Sequence, residues 1–207
     1  MTRVNVILVQ HSLVNNTFLE TIAAHDGEAQ HLTYHQERLN RALQNSSLYD
    51  LKMLLDVPSN KLTRCRVVYN SQEIKIEYLP YTPRDITSLQ LVQANDLIYN
   101  HKYADRTALD QLTSKRHGAD DVLIVQDGYI TDTSIANIAF YDGETWYTPT
   151  KPLLEGTTRA RLIDEKQLII RPIKVDDLKH YQGFALLNAM IGFQAIKNGI
   201  ILPLKDL

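Results

Sequence analysis

Apolar and polar positions alternate over residues 4–9, and this period of two predicts a first strand. Phe18-Leu19-Glu20-Thr21-Ile22-Ala23 reads as a second, closed by the turn pair Asp26-Gly27. The spacing then lengthens to that of a helix. Leu39 and Leu43 stand four apart, and Thr33 with Gln36 three positions on has the form of a capping box, so a helix is predicted over residues 33–44. Two β-rich runs, residues 64–69 and 73–79, flank Asn70-Ser71-Gln72 as a hairpin, and residues 85–92 read as a further strand. A helix over residues 107–117 is stopped by Gly118. Short strands follow at residues 122–125, 129–131, 137–141 and 145–148, punctuated by the hairpin dipeptides Asp127-Gly128 and Asp142-Gly143. Gly156-Thr157-Thr158 opens a helix of about ten residues. A strand at 169–173, a helix at 175–181 and a strand at 184–188 complete the pattern. Mostly antiparallel strands with helices between them predict an α+β protein and not a doubly wound sheet. The division is expected near residues 97–101, giving lobes of residues 1–98 and 99–207.

Composition narrows the partners. With 44% apolar and 22% charged residues in 207, the chain is ordinary for a globular protein and long enough to bury a core. Lys and Arg number 22 against 24 Asp and Glu, a net charge of -2 that offers no field for nucleic acid. A single cysteine, Cys65, cannot form an internal disulfide, which suits a reducing cytoplasm. No apolar run reaches the length of a membrane span, and the opening residues lack a signal peptide's apolar segment. The expectation is a cytoplasmic protein with small-molecule ligands.

Several common chemistries have no support. The glycine patterns of dinucleotide and P-loop folds are missing, as is a G-x-S-x-G elbow, and Cys65 falls inside a predicted strand. His31 and His35 have the i, i+4 spacing of a zinc pair, but no Glu completes H-E-x-x-H. They are read as two partly exposed histidines, and no metal site is expected. The doublets Asp120-Asp121 and Asp176-Asp177 each precede an apolar segment and are read as turn and cap residues.

Three other stretches belong together. Asn100-His101-Lys102-Tyr103-Ala104-Asp105-Arg106 lies at the expected lobe junction. Asp127-Gly128-Tyr129-Ile130-Thr131-Asp132-Thr133-Ser134-Ile135-Ala136-Asn137-Ile138 covers two predicted strands. Tyr147-Thr148-Pro149 is followed by Leu153-Leu154-Glu155-Gly156-Thr157-Thr158-Arg159. Upstream stand Phe18-Leu19-Glu20-Thr21-Ile22, Asp26-Gly27 and His35-Gln36-Glu37-Arg38-Leu39. In this order they resemble the class IV aminotransferases, the pyridoxal phosphate (PLP) enzymes of fold type IV. That family includes D-amino acid and branched-chain transaminases and 4-amino-4-deoxychorismate lyase. The resemblance runs from Phe18 onward. It implies a small N-terminal α/β lobe, trimmed before Phe18, a larger C-terminal PLP-binding lobe of mostly antiparallel strands with helices, and a homodimer.

The resemblance also assigns roles. Lys102 supplies the amine that holds the PLP aldehyde as a Schiff base and shuttles a proton. Asp132 stands where the family has Glu, keeping the pyridine nitrogen protonated from one methylene farther back. Asn137 occupies the family's Asn position in the cofactor site and orders the neighbouring strand. Gly156, Thr157 and Thr158 offer the phosphate a helix start and two hydroxyls, and Arg38 a planar fork. Asn188 and Ala189 resemble a second phosphate-contacting turn. Arg64 and Arg66, alternate residues on one strand face, lie where the family binds a substrate carboxylate, and Arg106 follows Lys102 as in the lyase-like members. Thr107 stands where branched-chain transaminases have Tyr, which argues against that activity. The leading expectation is amino transfer between an amino acid and a 2-oxo acid. The alternatives are lyase action on aminodeoxychorismate, forming 4-aminobenzoate and pyruvate for folate biosynthesis, and a non-catalytic PLP-binding member.

Overall fold

The computed structural model describes residues 4–8, 16–46, 48–57 and 61–205, the first of these as backbone only. The chain divides into two compact units, one of Met1–Pro83 with His101–Asp105, the other of Arg84–Asn100 with Arg106–Leu207.

In the first unit, strands β1 (Val4–Leu8), β2 (Phe18–His25) and β3 (Glu28–Ala29), helices α1 (Leu32–Leu43) and α2 (Leu51–Leu54), and strands β4 (Thr63–Tyr69) and β5 (Glu73–Pro80) follow in sequence. The strands form an antiparallel sheet in the order β1-β5-β4-β2-β3. Alternation decides its two faces. Thr63, Cys65, Val67 and Tyr69 of β4 are buried while Arg64, Arg66 and Val68 between them are half-buried. Pairing of Ile22 with Cys65 and of Phe18 with Tyr69 places the apolar side of β2 on the same core, which Leu39 of α1 and Leu51 of α2 complete. The expected capping box does not form: His31 precedes α1 in the left-handed region, with no side-chain cap. Gln36 is spent elsewhere, accepting from Leu51 N and donating to the carbonyl of Tyr49, each at 2.8 Å, so it ties α1 to α2.

In the second unit come β6 (Ser88–Gln93), α3 (Thr107–Thr113), β7 (Asp121–Gln126), β8 (Tyr129–Thr133), β9 (Asn137–Tyr141) and β10 (Trp146–Pro149). They are followed by α4 (Thr157–Asp164), β11 (Ile169–Arg171), β12 (Gly183–Asn188), β13 (Gly192–Ile196) and β14 (Ile200–Leu202). The sheet runs β11-β10-β9-β8-β7-β6-β14, with β12 joining β9 to β13. Most pairings are antiparallel; β6 runs parallel to β7 and β14, and β10 to β11. Its core gathers Leu89, Leu91, Leu123, Val125, Ile130, Ile138, Phe140, Phe184 and Leu186. Residues 175–181 were expected as an α-helix; Val175–His180 is a tighter 3-10 turn, begun by Asp177 accepting from Lys174 N. The strands β3, β13 and β14 and helix α2, all short, carried no pattern long enough to predict them.

The first unit ends after Pro83, earlier than the 98/99 boundary expected from the sequence. The reason is the seating of β6. Asp120 Oδ2 accepts from the backbone N and hydroxyl of both Thr87 and Ser88 at 2.8–3.1 Å, fastening the start of β6 beside β7. Those donors hold the Asp120 carboxyl down to about 2. Residues 101–105 return to the first unit, where Lys102 O accepts from Leu19 N at 2.8 Å and Ala104 N donates to Thr17 O at 2.9 Å. The ring of Phe18 meets both His101 and Tyr103. Replacing Asp120 by alanine removes the acceptor of these four hydrogen bonds. We expect a loss of about 2 kcal/mol in urea denaturation, with the far-UV spectrum retained.

Candidate active site

Asp132 lies near the end of β8, opposite Asn137 at the start of β9. It is 4% exposed, and donors of its own unit meet both oxygens. Asn137 Nδ2 donates to Oδ1 at 2.7 Å and Leu154 N to Oδ2 at 3.0 Å. The same Asn137 nitrogen donates to Leu154 O at 2.8 Å, so carboxylate, amide and backbone close a ring. Burial pushes the Asp132 carboxyl up to about 7, against the pull of these hydrogen bonds and of the Arg159 charge. No ion pair reaches it among the described residues.

Gly156, the N-cap of α4, lies against this ring. Its φ of -73° suits any residue, so the need for glycine is one of space. A Cβ there would overlap Asn137 Oδ1 and stand 3.0 Å from Asn137 Cγ. Thr157 and Thr158 follow in the first turn of α4, both buried. Arg159 fixes the helix start, donating to Thr148 Oγ1 at 3.2 Å, Pro149 O at 2.8 Å and Glu155 Oε2 at 3.1 Å.

The connection from Asp132 to Asn137 is braced from several sides. Ser134 Oγ donates to the buried Asp121 at 2.5 Å, Arg106 Nη2 donates to Ser134 O at 2.9 Å, and Asn188 Nδ2 to Ile135 O at 3.3 Å. Asn188 Oδ1 also accepts from Met190 N and Ile191 N, bracing the turn that holds Ala189. Arg106 and Asn188, expected at substrate and phosphate, therefore both hold this connection. Asp121, read from sequence as a turn residue, is a wholly buried strand residue, because the Ser134 hydroxyl draws its carboxylate inward.

The first unit holds a second buried group. Glu20 of β2 accepts from Arg38 Nε at 2.8 Å on Oε1, and from Arg38 Nη2 at 2.5 Å and His35 Nδ1 at 2.6 Å on Oε2. Burial alone would raise the Glu20 carboxyl; the Arg38 charge and the bonds from Arg38 and His35 outweigh it and hold the group at about 2. Burial pushes the His35 imidazole down, with Glu20 pulling the other way and the Lys102 charge adding to the fall. His35 is thus buried, not partly exposed as expected, while His31 is exposed. The signal was present in the parity of β2. Glu20 alternates in step with Phe18 and Ile22, so it must point into the core and find a partner.

Lys102 is half-buried, its carbonyl fixed to β2. Arg64 and Arg66 share the outer face of β4; Arg66 is paired with Glu77 at 2.7 Å, and Arg64 keeps a buried Nε with no hydrogen-bond partner among the described residues. Burial pushes Cys65, on the opposite face, up to about 12, so it is no nucleophile. Among the described residues no cluster of His, Cys, Asp and Glu could hold a metal, and no helix is long and apolar enough to cross a membrane.

The model of the family "Amino-transferase class IV" matches residues 57–198. The chain belongs to the class IV aminotransferase family. It is 34% identical over 182 residues to an uncharacterised protein of Haemophilus influenzae, covering 84% of this chain and 97% of that one. A crystal structure from Haemophilus somnus 129pt, described provisionally as a 4-amino-4-deoxychorismate lyase, superposes with a TM-score of 0.78 at 32% identity, covering 87% of this chain and all (100%) of that one. A hypothetical aminotransferase from Mycobacterium tuberculosis in its PLP-bound form has a TM-score of 0.72 at 19% identity, covering 95% and 91% of the two chains, and shares the fold. This class IV aminotransferase family member is accordingly an enzyme with the α+β architecture of fold type IV.

Two measurements check the ring around Asp132. Gly156→Ala should destabilise the protein by about 1–3 kcal/mol in urea denaturation, and Asn137→Ala in the same chain should recover part of that loss, a coupling that a double-mutant cycle reads. The Asp132 carboxyl rises from 3.8 to about 7 on folding, so the folded state binds the extra proton between those values. Stability of the ligand-free protein should therefore fall as pH rises through this window, by roughly 4 kcal/mol at most. Asp132→Asn should flatten the slope between about pH 4.5 and about pH 7.5. Glu20, held at about 2 against 4.5, acts in the opposite sense and in a lower window, its contribution lost as pH falls below 4.5.

Proposed function

We propose that this family member is a PLP enzyme that acts at the α-carbon of a primary amine, and that its reaction is the lyase reaction on 4-amino-4-deoxychorismate, yielding 4-aminobenzoate and pyruvate. The observation that carries the cofactor reading is Asp132: a buried carboxylate with two hydrogen-bond donors, no paired cation among the described residues, and a carboxyl lifted to about 7. The first-turn N–H groups and the buried threonines of α4 suit a phosphate in the same unit. The lyase reading is supported by the Haemophilus somnus protein, 32% identical and matched along 100% of its length.

When bound, PLP supplies an aldehyde that condenses with primary amines and a ring that accepts electrons from the neighbouring carbon. Lys102 is the residue we assign to hold it and to receive and return a proton at Nζ. Asp132 provides the charge that a protonated ring nitrogen needs. A cation beside it would in turn draw its own carboxyl down from about 7, so each group favours the charged form of the other. Asn137 keeps the Asp132 oxygens aimed, and Thr157, Thr158 and the free N–H groups of the first turn of α4 are assigned to phosphate, with Arg38 and the turn of Asn188 and Ala189. Of the three arginines assigned to substrate, Arg64 is the best suited, since its buried Nε awaits an acceptor while Arg66 and Arg106 are engaged by Glu77 and Ser134. A homodimer and a cytoplasmic location belong to the same proposal and rest on the resemblance. Amino transfer to a 2-oxo acid is the second reading, favoured by the family model that matches residues 57–198.

One assay separates the readings. With PLP and 4-amino-4-deoxychorismate the protein should release 4-aminobenzoate, and Lys102→Ala should lower the rate by roughly 10³-fold or more. Amino transfer without 4-aminobenzoate would select the second reading. A pyridoxyl label fixed by borohydride on any lysine other than Lys102 would overturn the site.

A further inference from the structure

We propose that Thr131 and Ser134 are positioning residues for Asp132: they pin a bulge in β8 on either side of it and so set the face and direction of its carboxylate. This rests on the cofactor reading of Asp132 given above and deepens it. Every residue involved belongs to the second unit.

The bulge follows from the strand register. Val125 of β7 pairs with Ile130 of β8, and Leu123 pairs with Thr133. One residue of β7, Ile124, therefore stands opposite two of β8, Thr131 and Asp132, which is the count that defines a β-bulge. Its consequence is a change of face. Paired residues share a side of the sheet, so Ile130 and Thr133 lie on the side of Leu123 and Val125, whose apolar cluster also holds Ile138 and Phe140. Strict alternation from Ile130 would have turned Asp132 into that cluster. The extra residue turns it to the opposite side, where it pairs with Asn137 and where Ala139 and Leu187 line the sheet.

A bulge interrupts the ladder, so its buried backbone groups need other partners. Thr131, 2% exposed, meets one of them: its Oγ1 donates at 2.9 Å to the carbonyl of Ile124, the residue that the bulge bypasses. Beyond Asp132, Ser134 Oγ donates to Asp121 Oδ1 at 2.5 Å, and Ser134 O accepts from Arg106 Nη2 at 2.9 Å. Thr133 closes the turn, its N donating to Ala136 O at 2.9 Å and its Oγ1 accepting from Ala136 N at 3.1 Å. Valine at 131 and alanine at 134 would occupy the same space, so what the two hydroxyls add is direction for the acid between them. The charged groups around Asp132 are Arg159 of α4, Glu155 bound to it, and Asp121 of β7, bound to Ser134. Thr131→Val alters none of these, and it reaches Asp132 only by letting it move.

Two readings on the purified full-length protein test this. In the ligand-free protein the Asp132 carboxyl is titrated by carbon-13 NMR, with Asp132→Asn identifying its signal. Burial sets its midpoint at about 7. Thr131→Val, which frees the bulge and admits water, should lower that midpoint by about one pH unit or more, and Thr131→Ser, which keeps the donor, should leave it in place. In the second reading, affinity for PLP is compared with affinity for the analogue in which CH replaces the ring nitrogen. Wild type should favour PLP by about tenfold or more, and Thr131→Val should cut this ratio by at least about threefold, with Thr131→Ser restoring it. If Thr131→Val does not fold, judged by near-UV circular dichroism, Ser134→Ala carries the test with the same expected directions. A midpoint or a ratio that is unchanged in the folded variant overturns the inference and leaves the cofactor reading standing. Equal affinity of the wild type for PLP and its analogue overturns the cofactor reading of Asp132, and this inference with it.

Discussion

A carboxylate withdrawn from water must be met by donors, and Asp132 obtains them chiefly from the amide of Asn137 and the backbone of Leu154. Much of the second unit follows from that requirement. Asn137 can reach Asp132 and Leu154 O together only if β9 starts directly opposite the end of β8, and it does. Its carbonyl then occupies the space of a Cβ at position 156, so the residue before α4 has to be glycine. Because Leu154 is already bound, the chain enters α4 at a fixed angle, and Arg159 locks that entry from the far side. One buried acid thus dictates an amide, a glycine and a helix start.

Glu20 shows the other way to bury an acid. It is placed against a cation and a second donor, and it stays ionised through any ordinary pH. Asp132 has hydrogen bonds and, among the described residues, no ion pair, so its charge is held at a cost. The two sites differ in the same physical variable. A carboxylate that brings its own counter-charge is complete without a ligand; one that lacks it is stabilised by whatever positive group arrives. Under the proposed function, burial that looks unfavourable in the isolated chain suits Asp132 to receive a cationic ring.

The division between what the sequence revealed and what it hid follows the range of the forces involved. Alternation over β4 and β5, the Asx turn in which Asn70 Oδ1 accepts from Gln72 N and Glu73 N, and the Asp127-Gly128 turn are local, and each was legible. So was the end of the helix before β7, where His117 and Gly118 both adopt positive φ. Asp132, Asn137 and Gly156 were legible as a spaced motif, but the reason for the glycine lay nineteen positions away in Asn137 and needed the fold. Gln36 misled for the same reason: its local capping role lost to three hydrogen bonds, two of them to the α2 region, that no neighbouring residue announces. Asp120 and Asp121 look identical in sequence, yet one ties down β6 at the surface and the other is drawn under Ser134.

Arg106 and Asn188 bear on how such a site tolerates change. Both were expected to meet ligand groups, and both brace the connection between Asp132 and Asn137. Asp121 braces it too, from beneath, with one oxygen bound by Ser134. A connection of four residues held by three side chains has little freedom to adjust, so Asp132, one methylene shorter than glutamate, cannot approach a ring by bending its own strand end. Under the proposed cofactor reading the accommodation comes from the ligand's placement, and therefore from the groups assigned to its phosphate. That couples the shorter acid to the glycine turn of α4 within the same unit. It also explains why the bracing is concentrated on the few residues between the acid and the amide that aims it.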